Sequence, residues 1–168
     1  IYSCKIKDID NKHVVYGELN IIYKSAETTK LHIVVAPPKN KLRFEWLLEK
    51  VTEIGVDMIS PIICDHSERI KINQLRSERV LISAMKQSQN AILPRLNKMQ
   101  SFQEIIQNYS TDTYIAHCYN QKRLNLRKIL ENTNNPSTIT LFIGPEGDFS
   151  KKELNFAKKK GLIPITLG

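Results

Sequence analysis

Residues 138–154 read TITLFIGPEGDFSKKEL. Residues 138–143 are an apolar, β-rich run of strand length, and Gly144-Pro145-Glu146-Gly147 stops it. Ser150-Lys151-Lys152-Glu153 is a capping box that opens a helix, with Phe149 and Leu154 at the two positions of a hydrophobic staple. Gly161 closes that helix and residues 163–167 supply another strand. The unit is strand, tight turn, capped helix, strand, the building block of a parallel sheet.

The same alternation runs back to residue 31. Residues 31–36 (LHIVVA) suit a strand buried on both faces, and Pro37-Pro38 ends it. A helix over 42–54 would place Phe44, Leu47, Leu48, Val51 and Ile54 on one side, with Gly55 as a left-handed terminator. Residues 58–64 (MISPIIC) form a second apolar strand in which only Pro61 speaks against the assignment. Asn73 caps a helix over 74–89, and Ser101 with Glu104 makes another capping box. Residues 113–118 (TYIAHC) are a third strand, 124–132 a helix, and 132–137 a loop. The predicted class is α/β, a mainly parallel sheet with helices on both faces, in which ligands bind beyond the carboxyl ends of the strands. Residues 2–9 and 13–23, joined at Asp10-Asn11, read as a separate β-hairpin.

Charge narrows the class of partner. Across 168 residues, 25 Lys and Arg face 17 Asp and Glu, a net +8. That excess favours a polyanion, nucleic acid before an anionic membrane surface. No stretch approaches the ~20 apolar residues of a membrane-spanning helix. Residues 1–9 carry no secretory signal, and a first residue of Ile rather than Met reads as a missing or processed start. Cys4, Cys64 and Cys118 are odd in number and far apart, which argues for a reducing compartment, the cytoplasm. The dinucleotide G-x-G-x-x-G, the phosphate loop G-x-x-x-x-G-K-[ST] and the nucleophile elbow G-x-S-x-G are all absent from the sequence. Cys64-x-His66 and His117-Cys118 lack a partner pair at usable spacing, so no metal site is expected.

Three features can carry chemistry. The 143–150 turn is either a tight βα connector or a main-chain pocket, whose peptide groups suit the edge of an adenine ring. On the 74–89 helix, Arg79, Ser83, Lys86, Gln87 and Asn90 share a polar stripe. That stripe is either a solvated surface or a face that positions phosphates and reads bases, extended by Arg43, Arg69 and Arg95. Residues 151–160 hold five Lys against one Glu, explained mostly by solubility and the helix dipole.

Taken in order, the motifs resemble those of the bacterial methyltransferases that act on N3 of a uridine in small-subunit ribosomal RNA, within the SPOUT (trefoil-knot) superfamily. The resemblance rests on Lys39-Asn40 with Arg43, on Glu45-Trp46-Leu47-Leu48-Glu49-Lys50-Val51-Thr52-Glu53-Ile54-Gly55-Val56, and on Ser67-Glu68-Arg69. Ala84-Met85-Lys86-Gln87-Ser88 with Pro94, Ile143-Gly144-Pro145-Glu146-Gly147 and Leu167-Gly168 complete it. It covers residues 31–168, and residues 1–25 resemble the tail of the small PUA-like β-barrel that precedes this domain. It implies S-adenosylmethionine as methyl donor, held by His117 at a strand end, by Ile143, Gly144, Pro145, Glu146 and Gly147, and by Leu167 and Gly168. It implies ribosomal RNA on Arg43, Arg69, Lys86, Gln87 and Arg95, a homodimer, no metal and no membrane.

Two departures stand out. Asp148 replaces a second glycine more usual in the family, and Asp tolerates the same left-handed backbone. The sequence ends at Gly168, where the family continues through an Arg-containing loop and a final helix, so the chain is read as partial and its knot as incomplete. An Arg of that further segment would be the better stabiliser of a uridine anion, Glu146 would order the turn, and no catalytic residue is assigned. The competing expectation is a non-catalytic RNA-binding or ribosome-assembly module on a degenerate methyltransferase fold.

Overall fold

In the computed structural model the described residues are 2–10, 12–21, 29–109, 112–119, 124–131 and 136–166. The first two strands, β1 (Tyr2–Ile9) and β2 (Val14–Ile21), pair antiparallel. Their turn is tied by Asp10, whose Oδ1 accepts from the amides of Lys12 at 2.7 Å and His13 at 2.6 Å. Those amides hold the Asp10 carboxyl below its usual range. Asn11, the second expected turn residue, lies outside the described residues.

The alternating part follows: β3 (Lys30–Val35), α1 (Lys41–Ile54), β4 (Met58–Ile63), α2 (Gln74–Gln87), β5 (Arg95–Leu96), β6 (Gln100–Ser101) and α3 (Phe102–Ile106). Then come β7 (Thr113–Ala116), β8 (Leu124–Asn125), α4 (Leu126–Glu131), β9 (Thr138–Ile143), α5 (Lys151–Lys159) and β10 (Ile163–Thr166). The strand order is β5-β4-β3-β9-β7-β10-β8, with β6 also on β4, and every pairing is parallel. The sheet is therefore the expected one.

Alternation along the strands divides the core in two. Val34, Ile62, Ile115 and Phe142 pack with Phe102, Ile105 and Ile106 of α3 and with Leu154 and Ala157 of α5. Ile33, Val35 and Ile59 pack on the opposite face with Phe44 and Leu48 of α1 and Leu81 of α2. Each helix begins where a short polar side chain takes an orphan amide. Asn40 accepts from Leu42 and Asn73 from Arg76, while Ser101 and Ser150 each complete a capping box with the Glu three residues on.

Several boundaries differ from expectation for identifiable reasons. Ile54 was expected on the buried side of α1, but it is 75% exposed at the helix end, and Glu45 and Thr52 are buried instead. Thr52 is accommodated because its hydroxyl donates to the Leu48 carbonyl at 2.7 Å. Pro61 does not break β4. Asp57 and Ile59 turn their carbonyls to the Arg95 and Asn97 amides, so Pro61, two residues further on, faces the gap between β5 and β6, where no strand needs its missing N–H. The helix expected over 124–132 starts with the two-residue strand β8, and β7 stops at Ala116, leaving His117 and Cys118 in a loop.

Candidate functional site

Inserting β9 between β3 and β7, and β10 beyond β7, brings three carboxyl ends side by side. A cavity of about 340 Å³ opens there. Its walls are Ala116, His117 and Cys118 from the end of β7, Ile143, Gly144, Pro145, Glu146 and Asp148 from the end of β9, and Ile165 and Thr166 from β10. The lining combines apolar side chains, Ile143, Pro145 and Ile165 among them, with the polar residues His117, Glu146, Asp148 and Thr166.

The β9 turn owes its shape to more than its glycines. The Asp148 amide donates to the Pro145 carbonyl at 2.9 Å, and the left-handed residue is Asp148, at φ 63°. Among the described glycines only Gly55 and Gly161 have positive φ. Gly144 and Gly147 sit in tight space: a Cβ on Gly144 would stand 3.0 Å from the buried Phe149 ring, and one on Gly147 3.2 Å from the Cβ of His66, so either neighbour would have to give. The Asp148 carboxylate accepts from the Cys118 amide at 2.7 Å and from the Phe149 amide at 2.7 Å, joining the β7 end to the β9 turn.

Two further loops brace the turn. Glu146 Oε1 accepts from the Lys39 amide at 3.1 Å, tying the turn to the segment after β3. Lys39 Nζ pairs with Glu68 at 2.6 Å, and this hydrogen bond with the Glu68 charge raises the Lys39 pKa above its ordinary value. Behind the turn, buried Glu153 accepts from the Ser150 amide at 2.8 Å and the Asp65 amide at 3.0 Å. Burial pushes the Cys64 thiol up, leaving it a packing residue rather than a nucleophile.

Of the residues expected at the donor site, His117, Ile143, Gly144, Pro145 and Glu146 line the cavity. Gly147 belongs to the same turn but faces His66, and Leu167 and Gly168 lie outside the described residues. Of those expected on RNA, Arg43, Lys86, Gln87 and Arg95 are exposed, on α1, the end of α2 and β5. Arg69 is half-buried, its guanidinium donating to the Pro38 carbonyl at 2.9 Å and to the Lys39 carbonyl. Asn90, read as part of the polar stripe, donates to the Thr52 carbonyl at 3.0 Å and so caps α1. Sequence reasoning did not single out as site residues Ala116, Cys118, Asp148, Ile165 and Thr166, which also line the cavity. Among the described residues no group of three His, Cys, Asp or Glu could hold a metal ion.

The RNA methyltransferase domain family matches residues 25–168. The chain belongs to this family. Its relatives include ribosomal RNA small subunit methyltransferase E 2 of Borreliella burgdorferi, 36% identical over 126 residues, a match covering 71% of this chain and half of that protein. The chain thus spans about half the length of that relative. A probable rRNA-methyltransferase from Porphyromonas gingivalis superposes with a TM-score of 0.85 at 32% identity, over 99% of this chain and 71% of that one. The ribosomal RNA small subunit methyltransferase E of Neisseria gonorrhoeae, solved bound to S-adenosyl methionine, has the same fold at 21% identity, with a TM-score of 0.75 over 99% of this chain and 70% of that one. In this RNA methyltransferase domain Gly144-Pro145-Glu146-Gly147, one of the stretches that carry the sequence resemblance, forms the β9 turn, and its first three residues line the cavity.

Proposed function

We propose that this chain carries the catalytic domain of an S-adenosylmethionine-dependent methyltransferase acting on N3 of a uridine in small-subunit ribosomal RNA. The observation that carries the reading is the cavity of about 340 Å³ where the family's turn meets the ends of β7 and β10. Its size falls in the range of small-ligand sites, about 300–1,000 Å³, and its lining mixes apolar residues with a few polar ones. His117, Ile143, Gly144, Pro145 and Glu146 would hold the donor, continued by Leu167 and Gly168. When bound, the donor supplies an electrophilic methyl group on a sulfonium.

The chain's own contribution is positioning. Arg43, Lys86, Gln87 and Arg95 offer exposed side chains that can fix RNA phosphates and base edges. Holding uridine N3 in line with the methyl group within about 3–3.5 Å supplies much of the acceleration. Glu146 serves turn geometry through Lys39 and is not assigned as a base. A homodimer completing the site, and a cytoplasmic location, belong to the same proposal; no described helix is long and apolar enough to cross a membrane. The exposed Ile6, Ile9, Val15 and Tyr16 of the hairpin support reading residues 1–25 as the tail of a β-barrel.

Titration calorimetry with S-adenosylmethionine, followed by mass spectrometry of small-subunit RNA lacking the modification, tests the proposal. Donor binding with 3-methyluridine as product is expected. Absence of donor binding with retained RNA affinity would favour the non-catalytic RNA-binding module.

A further inference from the structure

The loop after β4 holds the site together without lining it. His66 Nδ1 lies 3.1 Å from the Gly147 carbonyl and 3.0 Å from the Asp148 carbonyl. Both partners can only accept, so Nδ1 carries the proton and donates to the two of them. Three residues further on, Arg69 donates through Nε to the Pro38 carbonyl at 2.9 Å and through its terminal nitrogen to the Lys39 carbonyl. The Lys39 amide in turn donates to Glu146. One loop therefore grips the β9 turn from one side and the segment after β3 from the other, and those two segments are bonded to each other. Among the described residues, none of residues 64–69 lines the cavity.

We infer that His66 and Arg69 are positioning residues that set the donor affinity of the site by preforming its β9 turn. The inference rests on the donor-binding reading above and assigns Arg69 a task different from RNA contact. The β9 turn combines a left-handed Asp148 with two crowded glycines, a shape that an unbraced loop would populate only part of the time. A site competent for only a fraction of the time binds weaker by that fraction, while chemistry at saturation is untouched. The pattern is therefore a rise in Kd and KM for the donor at constant kcat.

The test compares His66→Ala with His66→Asn, whose side-chain amide places an N–H near the position of Nδ1–H, and adds Arg69→Ala. Each protein is titrated with S-adenosylmethionine by calorimetry, assayed at saturating RNA, and titrated with RNA over a salt series. His66→Ala is expected to raise Kd and KM for the donor about three- to tenfold, the worth of a hydrogen bond. His66→Asn should stay within about twofold of the parent, and kcat should hold in both. Arg69→Ala should weaken the donor to a similar extent with its RNA salt dependence unchanged. Unaltered donor affinity in His66→Ala, or equal losses in the Ala and Asn variants, overturns the inference for His66. An altered RNA salt slope at unchanged donor affinity overturns it for Arg69. A parent protein that binds no donor overturns the reading of the site itself, and the brace with it.

Discussion

Asp148 offers the sharpest perturbation of the site. Its carboxylate receives two amides, Cys118 and Phe149, each at 2.7 Å. Asp148→Asn keeps the size and the tolerance for φ 63°, but an amide has one acceptor oxygen and must turn its NH₂ toward one of two N–H donors. The Phe149 contact is fixed by chain adjacency, so the Cys118 bond is the one lost. A hydrogen bond to a charged group is worth about 1.5–3 kcal/mol, and partial exposure puts this one at the low end, about 1.5 kcal/mol. For a domain of this size that corresponds to a melting point lower by about 3–6 °C. Asp148→Gly loses both contacts but relaxes the backbone; Asp148→Ala loses both and keeps a Cβ at positive φ, costing about 1 kcal/mol more. Scanning calorimetry should rank the parent above Asn, and Gly above Ala, with Cys118 amide exchange accelerated in all three. An unchanged melting point and unchanged Cys118 exchange in Asp148→Asn, together with indistinguishable Gly and Ala variants, would refute the reasoning.

Three other outcomes are expected. Gly144→Ala drives a methyl into the buried Phe149 ring at 3.0 Å and should cost about 1–3 kcal/mol, visible in denaturant unfolding, whereas Gly147→Ala meets only exposed His66 and should cost less. His32 is buried between Ser60 Oγ at 2.8 Å and Tyr109 Oη at 3.0 Å, and burial lowers its pKa to about 4 from 6.5. Because the unfolded chain then takes up the proton first, stability is complete above about pH 6.5 and falls by about 3 kcal/mol as pH drops toward 4; melting curves of a His32→Gln variant should lack that component. Lys86→Ala should weaken RNA binding evenly across sequences and reduce the salt slope by about 1, while an unchanged slope would remove Lys86 from the interface.

What could be read in advance was what neighbours in sequence decide. The α5 capping box, the Gly55 terminator at φ 94° and the limits of β9 follow from local hydrogen bonding and turn chemistry, and the structure has them where the sequence put them. What could not be read depends on partners far along the chain. Asp148 looked like a tolerated exception to a glycine, because its partner, the Cys118 amide, is 30 residues away. Asn90 and Arg69 looked like surface polar groups for the same reason, their carbonyl partners lying in α1 and after β3. Two-residue strands such as β5 and β6 have too few side chains to show a period at all.

The strand order explains why the turn alone was an incomplete guide to the site. A βα connector between a buried strand and a capped helix is common, and nothing in residues 143–150 distinguishes a connector from a pocket. The distinction arises when β9 and β10 settle on either side of β7, so that the wall is assembled from three carboxyl ends, with the β9 end giving the largest share. Parallel pairing aligns those ends, because Ala116 pairs with both Ile143 and Ile165. The cavity therefore depends on register as much as on composition. Shifting β7 by one residue would turn Ile115 away from α3 and α5, put a neighbour of different size in its place, and move His117 off the wall. The side-chain packing that stabilises the sheet is thus also what keeps the three ends level, and the fold and the cavity are specified by the same residues.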